Sequence, residues 1–408
     1  MINKLFLTVI LFTILFSCKN NEQTNSPKIK AEQVRQLASP ADTASAEPYL
    51  FTDKNGLVYL SWIEREGKES LLKFSTLHDS SWSTPIIIAS GSNWFVNWAD
   101  YPLLAADGNN NLIAHYLEKS GKGTYAYDIK WVASADQGKT WSTPKILHDD
   151  GKQAEHGFVS MITTGDDFFV SWLDGRNAAM EESGGHDAHE GHGGVMTIRA
   201  ATINKQGEKK EEWELDNRVC DCCQTSAVLT DNGPVVIYRD RDENEIRDMS
   251  IVRLVNGKWT APKTIFADNW KIAGCPVNGP RASAIGNILA VAWFSAPEKN
   301  SRVNLVFSEN GGETFNEPIR IDEGNGIGRV DVEMLDEKSA MVSWMENGNI
   351  KAQKVFKDGK KDSSIIIATS SEERSGGFPQ MTLTGNKLIF AWTDDKEKRI
   401  KTASLRIG

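Results

Sequence analysis

The chain has 408 residues, 40% of them hydrophobic and 25% charged, a balance that excludes an intrinsically disordered protein. Its net charge is −9 with no long basic run, so nucleic acid is excluded as an expected partner. The length would hold two or three average domains unless the chain is built of repeats.

Residues 1–18 read as a signal peptide. Lys4 supplies the positive start, and Leu5 to Phe16 is an apolar stretch too short to serve as a mature membrane span. It ends in Leu15-Phe16-Ser17-Cys18, which resembles the lipobox of bacterial lipoproteins. That resemblance implies lipidation of Cys18, so that a lipid alone tethers an aqueous domain to the cell envelope. Lys19 after the lipid-bearing Cys favours the outer membrane by analogy with known sorting rules. Residues 19–33 are polar and read as a flexible tether. The expected globular domain is 34–408, and no other segment is apolar enough to cross a membrane.

Strand-like patterning dominates from there on. Seven segments share an apolar run ending in an aromatic residue, usually with an acid two places later: Leu57–Glu64, Asn111–Glu118, Phe168–Asp174, Val235–Asp240, Leu289–Ser295, Ala340–Glu346 and Leu388–Asp394. Their aromatics, Trp62, Tyr116, Trp172, Tyr238, Trp293, Trp344 and Trp392, recur 54, 56, 66, 55, 51 and 48 residues apart. A period near 50 in a β-rich chain predicts propeller blades, which bury both faces of each sheet only by packing around an axis. The fold expected is an all-β, seven-bladed β-propeller, with six blades as the alternative. A Pro-containing turn recurs before the outer strand: Trp82-Ser83-Thr84-Pro85, Trp141-Ser142-Thr143-Pro144, Trp259-Thr260-Ala261-Pro262 and Phe315-Asn316-Glu317-Pro318. The last repeat has room for only three strands, over 380–384, 388–393 and 400–407. Gln33 to Ala38 is expected to supply the fourth and close the ring, which removes an exposed edge.

Two turns carry a family likeness. Ser134-Ala135-Asp136-Gln137-Gly138-Lys139-Thr140-Trp141 resembles an Asp box, and Ser308-Glu309-Asn310-Gly311-Gly312-Glu313-Thr314-Phe315 is similar, with Asn for Asp and Phe for Trp. The side chains of Ser134, Asp136, Thr140 and of Ser308, Asn310, Thr314 cap backbone groups. Gly138 and Gly312 take positive φ, and Trp141 and Phe315 tuck into the blade. The chain thus resembles the Asp-box (BNR repeat) β-propellers of the sialidase superfamily. The resemblance implies a structural turn on the face opposite the usual active site, and the family's enzymes act on glycans. Residue by residue the sialidase machinery does not carry over. The family's late Tyr nucleophile is missing, because Tyr238 is the last tyrosine, and the matching strand for an Arg-Ile-Pro motif reads Glu47-Pro48-Tyr49-Leu50. Arg239, Arg329 and Arg374 remain as candidate substrate clamps, with Asp240 and Glu346 as candidate carboxylates of a divergent glycoside hydrolase.

In a propeller the connections between blades open on one face, and three unusual features fall there. Cys220-Asp221-Cys222-Cys223 precedes blade 4, and Gly274-Cys275-Pro276-Val277-Asn278-Gly279-Pro280 precedes blade 5. An insertion in blade 3, Met180 to Met196, carries His186, His189 and His192. Neighbouring blades bring all four cysteines together, and two readings stay open. One is disulfides, as expected for an exported chain. The other is a soft-metal site of Cys220, Cys222, Cys223 and Cys275, helped by the His loop, with copper or zinc as the ion. The acids Glu64, Glu118, Asp174, Asp240, Glu346 and Asp394 are expected around the central opening, with Arg329, Asp331 and Asp100 facing the same opening. Trp94, Trp98 and Trp270 either stack on a sugar ring or roof the blades. The function expected first is a cell-envelope propeller binding a ligand at the cysteine site, with a glycan or a docked envelope protein as other partners.

Overall fold

An apolar run ending in a large aromatic needs cover on both faces, and the seven repeats meet that need by forming seven sheets. The computed structural model describes residues 34–178 and 195–407. The lipobox with Cys18, the tether, and His186, His189 and His192 lie outside the described residues.

Blade 1 runs Ser45–Thr52, Val58–Glu66 and Glu69–His78, with an outer strand Ile86–Gly91. Blade 2 is Leu104–Ala106, Leu112–Lys119, Tyr127–Ser134 and Lys145–Ile146. Blade 3 is His156–Thr164, Asp167–Asp174, Thr197–Ile203 and Lys209–Asp216. Blade 4 is Ser226–Thr230, Gly233–Arg239, Met249–Val255 and Lys263–Phe266. Blade 5 is Arg281–Ile285, Ile288–Ser295, Arg302–Ser308 and Ile319–Arg320. Blade 6 is Gly326–Asp336, Ser339–Glu346, Asn349–Phe356 and Ile365–Thr369. Blade 7 is Gln380–Thr384, Lys387–Asp394 and Arg399–Arg406, completed by Val34–Leu37. The ring is therefore seven-bladed and closed by the N-terminal strand, whose Val34 pairs with Leu405 and Leu37 with Thr402.

The repeat aromatics sit on the second strand of each blade and fill the wedges between neighbours. Trp62, Trp172 and Trp293 are fully buried, and Trp344 and Tyr238 nearly so. One wedge joins Tyr59, Ile63 and Phe74 of blade 1 to Leu104, Ala114 and Tyr116 of blade 2. Another joins Leu305 and Phe307 of blade 5 to Val330, Val342 and Trp344 of blade 6.

Both Asp boxes form on the turn leading to the outer strand. Asp136 accepts bonds from the Thr140 N–H (2.9 Å), the Thr140 hydroxyl (2.6 Å) and the Ser134 hydroxyl (2.8 Å). These donors hold its carboxyl down at about 2. Gly138, at φ +80°, donates to Ser134 Oγ (2.8 Å). Gly312 and Asn310 repeat the arrangement on Ser308 and Thr314. The inner strands carry bulges near the connection face, at Ala46/Tyr49, Gly157/Ser160 and Gly328/Asp331. Within them Glu47, Phe158 and Arg329 take positive φ. Bulges of this kind re-aim side chains at the rim of a closed sheet.

Candidate functional site

The four cysteines come together where blades 4 and 5 begin. Leaving the outer strand of blade 3, the chain pairs Val219 with Asp240, and the Cys220 N–H donates to the Arg239 carbonyl (3.0 Å). This clasp turns the next three residues inward. Cys220 Sγ lies 3.8 Å from both Cys222 Sγ and Cys223 Sγ. Cys275 arrives from the connection into blade 5, and its thiol, that of Cys222 and the Asp221 carboxylate lie within 4.8 Å of one another. Gly279 lets the two loops meet. Its N–H donates to Gln224 Oε1 (3.0 Å), and a Cβ there would sit 2.0 Å from the Gln224 carbonyl oxygen. Cys220, Cys222 and Cys223 are buried, Cys275 is exposed, and no disulfide joins the four.

The surroundings are strongly charged. Arg247 donates to Cys220 Sγ (3.2 Å), Asp221 (3.3 Å) and Glu245 (2.8 Å), and Arg241 also pairs with Glu245 (2.8 Å). Arg241, Glu245 and Arg247 thus form an ion-pair network with Asp221 against the sulfurs. Burial pushes the Cys220 thiol up to about 11. Burial also opposes ionisation of Cys223, but the Cys220 and Cys222 thiols, the Arg239 charge and the Asn278 N–H outweigh it and hold that thiol well below the ordinary range. The Cys222 thiol likewise lowers the Cys275 thiol. On the blade 2 side, Tyr127 donates to Asp100 (3.1 Å) and Glu155 (2.9 Å). Burial raises both carboxyls, Asp100 to about 7. Asp221 and Cys275 are near enough to Glu155 to push its carboxyl up further.

Of the six acids expected around the opening, Glu64, Asp174 and Glu346 are turned into the wedges, while Glu118 and Asp394 are half-exposed. Residues two apart on a strand share a face, so Trp62, Trp172 and Trp344 donate their indole N–H to Glu64 (3.1 Å), Asp174 (2.9 Å) and Glu346 (2.9 Å). Each acid also holds a cation: Lys73, Arg176 and Lys351 respectively. Glu346 is fully buried and takes the backbone N–H groups of Glu323 and Asn325 as well. Asp240 accepts from Ser250 (2.9 Å) and the Arg241 N–H (2.7 Å), and burial beside Asp216 raises its carboxyl to about 6.

The three candidate clamp arginines do not share a site. Arg239 is buried with its guanidinium on the carbonyls of Asn278, Arg247 and Phe294, over the Trp270 ring. Arg329 is spent on the carbonyls of Glu372 and Glu373, over Trp98, and burial lowers its pKa to about 10. Arg374 is exposed in a short 3-10 turn, Arg374–Gly376. The loop tryptophans roof the blades: Trp94 stacks on Tyr116, and Trp98 on Phe378.

One arginine that motif reading passed over does face the axis. A cavity of about 340 Å³ runs between the inner strands of all seven blades. In it Arg281 donates to the Tyr101 hydroxyl (2.5 Å) and Gln380 Oε1 (2.7 Å), with Asp331 at 3.9 Å. Glu333 accepts from Ser283 (3.1 Å), and burial with Asp331 alongside raises it to about 8. The sequence signal for Arg281 is its place at the start of the inner strand Arg281–Ile285, directly after the Cys275 loop.

Comparison with known proteins agrees with this geometry. No curated protein matches the chain. Among solved structures, a protein of unknown function from Dyadobacter fermentans DSM 18053 aligns at 12% identity over 94% of this chain and 100% of its own, with a TM-score of 0.51. The polysaccharide lyase Uly1 aligns at 8% identity over 93% and 100%, with a TM-score of 0.54. A PL25 ulvan lyase aligns at 12% identity over 76% and 79%, with a TM-score of 0.50. At these identities the likeness is one of fold. The BNR repeat-like domain model matches residues 64–350, most of the seven-bladed ring with its two Asp boxes, and the chain belongs to that family.

Proposed function

We propose that this protein is a cell-envelope lipoprotein whose propeller binds a soft metal ion, copper(I) or zinc, through Cys220, Cys222, Cys223 and Cys275. The observation that carries the reading is the convergence of four sulfurs from two blade connections. Sulfurs around a tetrahedral ion at about 2.3 Å lie about 3.8 Å from one another, and Cys220 keeps that spacing to two partners. A staple between blades would need only two sulfurs. Soft thiolates select copper(I) or zinc over harder ions, and the Arg247 guanidinium against Cys220 Sγ favours its thiolate form in a buried pocket. Cys275, exposed, offers the route by which an ion enters or leaves.

Elemental analysis and thiol counting on anaerobically purified full-length protein without a His tag test this. About one copper or zinc per chain, with four titratable thiols released on chelation besides any unlipidated Cys18, is the expected result. Four oxidised cysteines without metal would overturn it. Replacing Cys275 by Ser should weaken retention by about 10- to 100-fold, a loss of the size seen when a site is left with an incomplete set of partners.

A second reading, glycan binding on the axis, has its own observation in Arg281. A half-buried guanidinium in a polar cavity suits a sugar carboxylate, and two structures sharing the fold carry the name polysaccharide lyase. Calorimetric titration with uronic-acid oligosaccharides should give binding that Arg281→Gln abolishes. Binding that survives this change, or none in the unmodified protein, would sink it. Lipidation is tested separately by fatty-acid labelling, which Cys18→Ala should eliminate.

A further inference from the structure

At the seam where the ring closes, three cations crowd one face of blade 7. Lys387 stands directly opposite Arg406, its partner in the antiparallel pair. Arg35, on the closing strand, pairs with Ser404, two residues before Arg406 and so on the same face. Like charges directly opposite one another weaken a sheet, and the diagonal neighbour is still within reach of long side chains. Among the described residues none of the three has an ion pair or a side-chain hydrogen bond. The sheet therefore carries a repulsion that an anion between the strands would offset.

The three cations line a pocket of about 310 Å³ in the wedge between blades 7 and 1. Leu37 and the buried Ile389 give it an apolar wall. From blade 1, the two-residue turn Asp79-Ser80 adds one carboxylate and one hydroxyl. Three positive groups against one acid leave the pocket cationic.

Its place on the ring narrows the choice of anion. Arg406 ends the third strand of blade 7, as Ser134 and Ser308 end the third strands of blades 2 and 5 where the Asp boxes turn. The pocket is therefore at the Asp-box end of the ring, opposite the blade connections that carry the cysteines. Val34, next to Arg35, is also the residue at which the segment 19–33 enters the domain. Those fifteen residues reach at most about 50 Å when fully extended, so an anchor on Cys18 keeps this end of the ring close to a bilayer surface.

We propose that Arg35, Lys387 and Arg406 bind the phosphate of an anionic phospholipid headgroup, phosphatidylglycerol in class, and so dock the Asp-box face on the membrane that holds the lipid; the choice of ligand rests on the lipoprotein reading. The guanidinium groups take two phosphate oxygens at once, and Lys387 adds a point charge. Asp79 and Ser80 accept from the glycerol hydroxyls, and Leu37 and Ile389 cover the glycerol carbons. The blade connections, with their cysteines, then point away from the bilayer.

The test titrates glycerophosphoglycerol, the headgroup without its acyl chains, by calorimetry into full-length protein in nonionic detergent. Saturable binding is expected, weakened about 10- to 100-fold by Arg35→Gln or Arg406→Gln, the loss expected of a removed charge-assisted bond. Lys387→Gln should also weaken binding, while the thermal midpoint of the ligand-free protein holds or rises because a like-charge neighbour is gone. A lowered midpoint would show that Lys387 already has a partner within the chain and would overturn the proposal. So would absence of binding, equal binding of inorganic phosphate, or tighter binding of a sulfated oligosaccharide. Protein held by its own lipid in phosphatidylglycerol vesicles should bind no added glycerophosphoglycerol, since the bilayer fills the pocket. Undiminished binding there would put the pocket away from the membrane and refute the docking. Fatty-acid labelling reads the anchor separately, so a labelled protein whose pocket ignores the headgroup defeats this proposal and leaves the anchor standing.

Discussion

At the scale of single residues, the recurring aromatic and its acid form a structural unit. In blades 1, 3 and 6 the indole N–H is buried against a carboxylate two residues on, and a Lys or Arg completes the cluster. An unpaired buried indole or ammonium would be costly. Glu346→Ala should therefore destabilise the protein by about 3 kcal/mol, the size expected when one partner of a buried pair is removed, and lower the midpoint of thermal unfolding. If Glu346 were catalytic, the same change would leave the melting temperature in place and remove an activity. The acid two places after an aromatic looked like a rim residue because sequence shows only the shared register. It does not show that the shared face points into the wedge.

At the scale of elements, the closing strand is the clearest case of a local pattern with a non-local purpose. Among the described residues Val34–Leu37 pairs with Arg399–Arg406 alone, so it holds the first and last blades of the ring together. Its removal would expose the backbone edge of blade 7 and uncover Leu37, which packs with the cluster containing Leu60, Trp62 and Ile389. Deleting 34–37 from the mature chain should lower the thermal midpoint by about 5 °C, from a loss of about 2–3 kcal/mol of apolar burial and pairing. It should also make aggregation concentration-dependent, because an open edge templates pairing. Light scattering alongside the melt reads both effects. The connections into blades 4 and 5 are a second such element pair: Gly279 against Gln224 is the close approach that sets the sulfurs side by side. Gly279→Val should separate them, and on the proposed metal reading lower the copper or zinc content read by elemental analysis, with near-ultraviolet circular dichroism of the wedge aromatics unchanged.

At the scale of the whole molecule, burial raises carboxyls in two places, Glu333 in the axial cavity and Asp100 beside Tyr127. Glu333 is held at about 8 and Asp100 at about 7, whereas both ionise near pH 4 in an unfolded chain. Between those values the folded protein binds more protons than the unfolded one, so stability falls as pH rises from about 4 to about 8 and then levels. Melting temperature should decline across that window. Glu333→Gln should flatten the decline, and an unchanged slope would show that Glu333 ionises normally.

The sequence by itself determined the number of blades, the strand that closes the ring, the Asp-box turns and the meeting of the four cysteines. Each of these follows from a pattern repeated at a fixed period, and a period fixes which elements become neighbours. Only the tertiary structure decided what the charged and imidazole side chains face. It turned Arg239 and Arg329 onto carbonyls, aimed Arg281 down the axis, pressed Glu346 against Trp344, and stacked His148 on His156 across two blades. Those outcomes depend on strand twist, bulges and the wedge angle between sheets, which set side-chain direction and leave no mark in residue spacing.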